Sequence, residues 1–96
     1  MSSYFVALVT IHDQAQYDRY LEGFMGVFER FAGEVLAADD APEALEGEWP
    51  AARTVIIRFP SDEELLRWYR SPEYQRLIEL RRSAAEGSIA MVHGLG

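Results

Sequence analysis

The strongest indication of the fold is the apolar run Tyr4-Phe5-Val6-Ala7-Leu8-Val9-Thr10-Ile11. Aromatic, β-branched and other apolar residues occupy both of its alternating faces, which is typical of a strand buried on both sides. Asp13 follows as a candidate helix N-cap, with Gln16 three residues later to close a capping box. We therefore expect a central strand that leads directly into a helix.

The stretch after Asp13 is predicted to be an amphipathic helix with an aromatic inner stripe. Its apolar residues recur at helical spacing, at Tyr17, Tyr20, Leu21, Phe24, Phe28 and Phe31. Gly33 is a candidate C-terminal stop. Residues 34–38 are predicted to form a short, weak edge strand, and residues 39–52 an acidic loop.

A second strong strand is predicted at residues 53–59, and Pro60 ends it. Ser61 and Glu64 form another capping-box pattern, which predicts a helix through about Arg70. The chain therefore repeats the strand-then-helix pattern of its first half.

Ser71 and Pro72 are predicted to restart the helix, with serine as the cap and proline in the first helical position. This helix is expected to run to about Ala85, where Gly87 ends it. Residues 88–93 are predicted to be the last strand. The complete order is β-α-β-β-α-β.

That order is the ferredoxin-like one, so we predict a single α+β domain over residues 1–96 with an antiparallel sheet. We expect the first and third strands to lie parallel to each other in the middle of the sheet. Helices cover only one sheet face, while the other face carries apolar residues such as Val6, Leu8, Ile56 and Val92. An open face of this kind exceeds the apolar patch of roughly 300–600 Å² that a monomer usually exposes. The sequence therefore predicts a homodimer through the sheet face.

Composition narrows the classes of partner. The formal net charge is −7, all nine basic residues are arginine, and cysteine is absent. The acidic balance argues against nucleic-acid and anionic-membrane partners, which require a cationic surface. The first apolar run is too short to span a bilayer. The lack of cysteine excludes disulfides and thiolate sites, and it fits a cytoplasmic location.

Two arginines are candidate ligand-binding residues. Arg81 is predicted on the inner face of its helix, in register with Tyr74 and Ile78. Its charge cannot be neutralised, so it must reach water or an acid. A structural ion pair and an anion clamp in a pocket both satisfy this requirement. Arg53, at the start of a central strand, poses the same alternatives.

The other candidates are an acid and several aromatic residues. Glu46 is a candidate partner for an arginine, or a general base if burial raises its pKa. Trp49 either anchors its loop or forms a pocket wall. The helical aromatic candidates belong to the core or to a pocket; they are Tyr17, Tyr20, Trp68 and Tyr74.

Metal and cofactor sites are not expected. His12 and His93 end strands that we predict to be antiparallel neighbours, which places them at opposite ends of the sheet. His12 is retained as a lone candidate at a pocket mouth. Zinc-protease, dinucleotide, phosphate-loop and serine-elbow motifs do not occur.

Two segments carry a resemblance to a known family. These are Leu45-Glu46-Gly47-Glu48-Trp49, with Arg53 and its strand, and Trp68-Tyr69-Arg70-Ser71-Pro72-Glu73-Tyr74-Gln75, with Arg81. They resemble the family known as domain of unknown function 1330. The resemblance implies a ferredoxin-like subunit and a dimeric α+β barrel in which two sheets pack face to face, and it implies no known reaction. The chain departs from the pattern at Asp39-Asp40, where a basic residue is common in the family.

Three functions follow as hypotheses. The first is a pocket for an anionic or aromatic small molecule between sheet and helices, in which Arg53 and Arg81 hold a carboxylate or enolate while Tyr17, Tyr74 and Trp49 shape the cavity. The second is a non-catalytic binding or regulatory dimer. The third is a cofactor-free oxygenase or isomerase, by fold analogy alone. Whether the chain is an enzyme stays open.

Overall fold

The computed structural model describes residues 1–50 and 52–96. Its elements, in chain order, are β1 (Ser3–Ile11), α1 (Gln14–Phe28), β2 (Glu34–Asp39), β3 (Arg53–Phe59), α2 (Asp62–Tyr69), α3 (Pro72–Ala84) and β4 (Ala85–His93). The strands form one antiparallel sheet in the order β2-β3-β1-β4. The predicted ferredoxin-like order is confirmed.

The predicted parallel pairing of the first and third strands is wrong. β1 and β3 are adjacent but antiparallel, with Phe5 opposite Ile57 and Val9 opposite Arg53. The chain direction explains why. α1 carries the chain back along the sheet, so β2 runs in the same direction as β1. β3 then reverses against β2, with which it pairs antiparallel, and must oppose β1 as well.

Each helix begins at the predicted cap. A side-chain oxygen accepts a hydrogen bond from the backbone N–H three residues ahead, in the pairs Asp13–Gln16, Ser61–Glu64 and Ser71–Tyr74. The reciprocal half of the capping boxes is used differently. Gln16 donates its side-chain amide to Ser83 on α3, and Glu64 accepts from the backbone N–H of Ala32. These side chains therefore tie the helix starts to neighbouring elements.

The predicted helix stops differ from the observed ones. α1 already ends at Phe28, and Gly33 lies beyond it, against the rings of Phe28 and Phe59. Gly87 does not end α3, because the chain turns extended at Ala85 (φ −156°, ψ 157°) and enters β4 at once. The pairing of Ala85 with Ile11 on β1 fixes this boundary.

The core lies between the helices and one face of the sheet. Trp68 is fully buried at its centre, with its ring centroid 4.2 Å from that of Tyr74 and 5.3 Å from that of Phe59. Alternate residues of β1 confirm the two predicted faces, since Ala7 and Val9 are buried against the helices. The opposite sheet face has no helix over it among the described elements, and its central side chains, Tyr4, Val6, Leu8 and Ile56, are half-buried.

Candidate functional site

The predicted site residues separate into three places. Tyr17 and Arg53 line a cavity beside α1. Tyr20, Trp68, Tyr74 and Arg81 are buried in the core. Glu46 and Trp49 belong to the loop between β2 and β3, and both are exposed. The single pocket expected from the sequence is therefore not assembled from all eight residues.

The cavity lies between α1 and the strands β2 and β3, and its volume is about 230 Å³. Side chains alternate between the two faces of a strand, and every lining residue of β2 and β3 points to the helix side of the sheet. These side chains therefore face α1 and form the walls of the cavity with it. The walls are mostly apolar; they consist of Tyr17, Leu21, Phe24, Met25, Val35, Ala38, Arg53 and Val55. This is a small apolar space with one positive charge in its lining.

Arg53 is held at the edge of this cavity. Its Nη1 donates to Asp40 Oδ1 at 2.6 Å, and its guanidinium carbon lies 5.7 Å from the centre of the Tyr17 ring. The side chain of Arg53 is 15% exposed, whereas that of Asp40 is 77% exposed. Burial alone lowers the pKa of Arg53, but Asp40 and the Tyr17 phenol outweigh it and raise that pKa above its ordinary value. Arg53 is therefore a permanent, mostly buried cation.

One nitrogen of this guanidinium has no partner in the described part of the chain. Arg53 Nε is buried, and no residue in 1–50 or 52–96 accepts a hydrogen bond from it. Buried polar groups are almost always paired, and a charge-assisted donor is especially unfavourable to leave unmade. The described residues therefore leave one donor of this guanidinium without an acceptor.

A second group lies deeper, where α1 packs against α3. The hydroxyl oxygens of Tyr20 and Tyr74 are 2.6 Å apart, and the guanidinium carbon of Arg81 lies 5.9 Å from the centre of the Tyr20 ring. Arg81 is only 8% exposed, so its predicted inward position is confirmed. Tyr20 and Tyr17 are neighbours, with ring centroids 5.4 Å apart, but Arg81 does not line the cavity.

Burial raises the pKa of both phenols in this group. For Tyr20 the neighbouring Tyr74 raises the pKa further, whereas for Tyr74 the Tyr20 hydroxyl and the Arg81 charge partly oppose the effect of burial. Both hydroxyls therefore stay protonated at neutral pH. They form a neutral hydrogen-bonded pair beside a buried cation.

The loop residues lie away from this cavity. Trp49 Nε1 donates to Thr54 Oγ1 at 2.9 Å, and Thr54 is on the sheet face opposite to that of Arg53, because the two residues are adjacent on β3. Trp49 therefore anchors its loop, and it is not a wall of this cavity. Gly47 has φ 70°, a left-handed backbone conformation that favours glycine. The exposed Glu46 is not the acid that binds Arg53, since Asp40 takes that place.

Sequence reasoning did not identify Asp40 as the partner of Arg53, and it did not predict the apolar wall of β2. Asp39 pairs with Thr54 across the hairpin, so the next residue, Asp40, lies close to the start of β3. The hairpin register was the signal that could have identified it. Val35 and Ala38 were missed because β2 contains an irregularity between Val35 and Ala37, which changes the simple alternation of faces.

The histidines lie apart, as predicted. His12 is exposed just after β1, and His93, at the end of β4, has Nε2 3.0 Å from Asp62 Oδ2. Asp62 also accepts from the Ser3 hydroxyl, and these contacts lower the pKa of its carboxyl group. Among residues 1–50 and 52–96, no three His, Asp or Glu side chains are grouped so that they could hold a metal ion. In the same residues no helix is long and apolar enough to cross a membrane.

A family model matches almost the whole chain and shows its family membership. The model of the family described as domain of unknown function (DUF1330) matches residues 2–95. The chain belongs to this family. The resemblance noted at Trp49 and at Ser71-Pro72 is thereby confirmed. No curated protein matches the chain.

Solved structures similar to this DUF1330 chain share its fold. A protein of unknown function from Rhodopseudomonas palustris is 19% identical, with a TM-score of 0.81, covering 99% of this chain and 83% of that one. A dimeric ferredoxin-like protein of unknown function from Jannaschia sp. CCS1 is 10% identical, with a TM-score of 0.70, covering 98% and 100%. SnoaB, a cofactor-independent oxygenase from Streptomyces nogalater, is 13% identical, with a TM-score of 0.66, covering 99% and 94%. At these identities the likeness establishes the ferredoxin-like fold alone.

Proposed function

We propose that this chain binds a small, mainly apolar molecule carrying one anionic group, in the cavity between α1 and strands β2 and β3. The observation that carries the proposal is the buried Nε of Arg53, which has no acceptor among the described residues. An anionic oxygen at this position completes the hydrogen bonding of the guanidinium. The apolar walls take the rest of the molecule.

The size of the cavity limits the ligand. Pockets for drug-sized molecules usually have volumes of about 300–1,000 Å³, and this cavity measures about 230 Å³. Short fatty acids and single-ring aromatic acids are of suitable size. Arg53 is the one charged residue in the cavity lining that the structure describes, which favours a single negative charge on the ligand.

Binding without catalysis is the function that the residues favour. The phenols of Tyr20 and Tyr74 lie behind the cavity wall, and Tyr17 is the one acid–base group besides Arg53 in the lining described. A cofactor-independent oxygenase is the second candidate, supported by the fold shared with SnoaB. Oxygen uptake with a bound ligand separates the two: consumption that depends on the ligand supports the oxygenase, and binding without consumption supports the binding module.

We also propose a homodimer formed through the open sheet face. Val6, Leu8 and Ile56 are half-buried there and Val92 is 47% exposed, although no helix covers this face in the described residues. The similar protein from Jannaschia is described as dimeric. Because the Arg53 cavity opens on the helix side, two such sites remain accessible in the dimer.

A cytoplasmic location is proposed from the absence of cysteine, and fractionation of cells tests it.

Thermal-shift screening tests the ligand proposal. Benzoate and hexanoate, each compared with its neutral amide, should stabilise the parent protein while the amides have little effect. Arg53→Gln should remove this stabilisation, because it removes the cation but keeps a polar side chain. Arg19→Gln is the matched control, since Arg19 is exposed on α1. Equal stabilisation of Arg53→Gln and the parent would contradict the proposal.

A further inference from the structure

Asp40 provides the carboxylate that contacts Arg53. Its Oδ1 lies 2.6 Å from Nη1, and its position is set by the chain around it. Asp39 ends β2 and its side chain accepts from the backbone N–H of Ala41 at 2.9 Å, so a tight turn presents Asp40 toward β3. A bound acid near the same guanidinium would carry the same charge as Asp40. The two carboxylates would therefore oppose each other.

The contact with Asp40 is of a kind that a ligand can weaken. Asp40 is 77% exposed, so water solvates its carboxylate, whereas Arg53 is largely enclosed. Ion pairs with an exposed partner contribute little net stability. A ligand acid gains the same charge–charge attraction and additionally buries apolar surface against residues such as Met25 and Val55.

The guanidinium edge that remains determines the chemistry of the anion. Nη1 lies on the same side as Cδ, so Nε and Nη2 form the other edge, with two parallel N–H donors. Asp40 contacts Nη1, and Nε is the buried donor without a partner among residues 1–50 and 52–96. A carboxylate accepts from both donors of such an edge at once. A phenolate or enolate has one oxygen, which the two parallel donors must share through bent and therefore weaker hydrogen bonds.

We propose that the ligand is a monocarboxylate bound side-on by Arg53, and that Asp40 is its internal competitor, each carboxylate weakening the hold of the other on the guanidinium. This inference rests on the proposed function of the cavity. It adds the class of anion and a residue that sets the affinity. It also implies that binding of the acid loosens the start of the loop that follows β2.

Calorimetric titration of four proteins tests this. The parent, Asp40→Asn, Glu43→Gln and Arg53→Gln are titrated with benzoate, hexanoate, their amides and 4-nitrophenolate. Glu43 is exposed in the same loop, so its variant removes an equal charge without touching Arg53. Asp40→Asn should bind both carboxylates about two- to fivefold more tightly than the parent. Glu43→Gln should match the parent, and 4-nitrophenolate should bind more weakly than benzoate to every protein that keeps Arg53.

The outcomes separate the inference from the function it rests on. If Arg53→Gln loses the carboxylates but Asp40→Asn binds them no more tightly than the parent, the cavity function stands and the competitor role is wrong. If 4-nitrophenolate binds as tightly as benzoate, side-on carboxylate recognition is wrong. If neither carboxylate binds the parent or Asp40→Asn, both proposals fall.

Discussion

The hydroxyl oxygens of Tyr20 and Tyr74 lie 2.6 Å apart in the buried contact between α1 and α3. One hydroxyl therefore donates to the other in the buried interior, where polar groups need a protein partner. Arg81 stands beside the pair, with its guanidinium carbon 5.9 Å from the centre of the Tyr20 ring. This contact joins the two longest helices of the domain through polar groups within an aromatic core.

Removing one hydroxyl of the pair should destabilise the protein. Tyr74→Phe leaves the Tyr20 hydroxyl buried without its partner, which should lower the free energy of unfolding by about 1–3 kcal/mol. The double variant Tyr20→Phe/Tyr74→Phe removes both groups and should lose less than the sum of the single losses. Urea denaturation of the four proteins measures this coupling. Strictly additive losses would show that the two hydroxyls do not act as a pair.

Alkaline pH should destabilise the fold through the same phenols. An unfolded tyrosine ionises near its ordinary pKa of 10.0, whereas burial raises the pKa of Tyr20 in the folded state far above that value. The folded state then binds more protons than the unfolded state once the pH exceeds 10.0, so stability is full below this pH and declines as the pH rises above it.

Denaturation midpoints across this alkaline range measure the effect. The ionisations of Tyr20 and Tyr74 both favour unfolding at alkaline pH, and Tyr20→Phe removes one of them. The stability of this variant should therefore decline less steeply with pH than that of the parent. An identical slope in the parent and in Tyr20→Phe would contradict the assignment of the effect to this residue.

Two glycine substitutions should have opposite effects. A Cβ at Gly33 would lie 2.6 Å from Phe28 and 2.7 Å from Phe59, both buried rings that cannot move freely. Gly33→Ala should therefore cost about 1–3 kcal/mol of stability. Gly26, within α1, has open space around it, and Gly26→Ala should stabilise by about 0.5–1 kcal/mol through helix propensity. Thermal denaturation compares the stability of the two variants. An unchanged stability of Gly33→Ala would show that the rings of Phe28 and Phe59 can move aside.

An acid placed on the open sheet face should separate the proposed dimer. Ile56 is half-buried in the middle of this face, and Ile56→Asp would place a charge between the two packed sheets. Light scattering should give a dimer mass for the parent and a monomer mass for the variant. Ala15→Asp, on the exposed side of α1, should stay dimeric. A parent that is monomeric at micromolar concentration would overturn the proposal.

Local signals predicted the fold well because helix starts depend on nearby residues. Asp13, Ser61 and Ser71 cap their helices through hydrogen bonds that span three residues. The end of α3 depends instead on a distant partner, since Ala85 becomes extended where it meets Ile11. Gly87 was therefore misread as a helix stop, although it lies within a strand. The direction of β3 relative to β1 was likewise a matter of topology.

The candidate site was only partly predicted, because some of its features depend on long-range packing. The inward position of Arg81 followed from helical spacing, which the sequence contains. The distance of Arg81 from the cavity could not be predicted in this way, because that distance depends on how α3 packs against α1. The path of its loop places Trp49 on the opposite sheet face. The hairpin register places Asp40, and not Glu46, beside Arg53. These are long-range relations that residue types alone do not encode.

Carboxylate binding at Arg53 is tested most directly by ¹⁵N NMR of its Nε–H signal during titration with benzoate. Binding of the carboxylate to Arg53 should give a large, saturable shift of this signal, with smaller shifts at Tyr17, Leu21 and Val55, which line the same cavity. The Nε–H signal of the exposed Arg19 should stay unchanged. A titration in which Arg53 does not respond, or in which the shifts cluster at the separate cleft lined by Leu66 and Met91, would contradict binding of the carboxylate to Arg53.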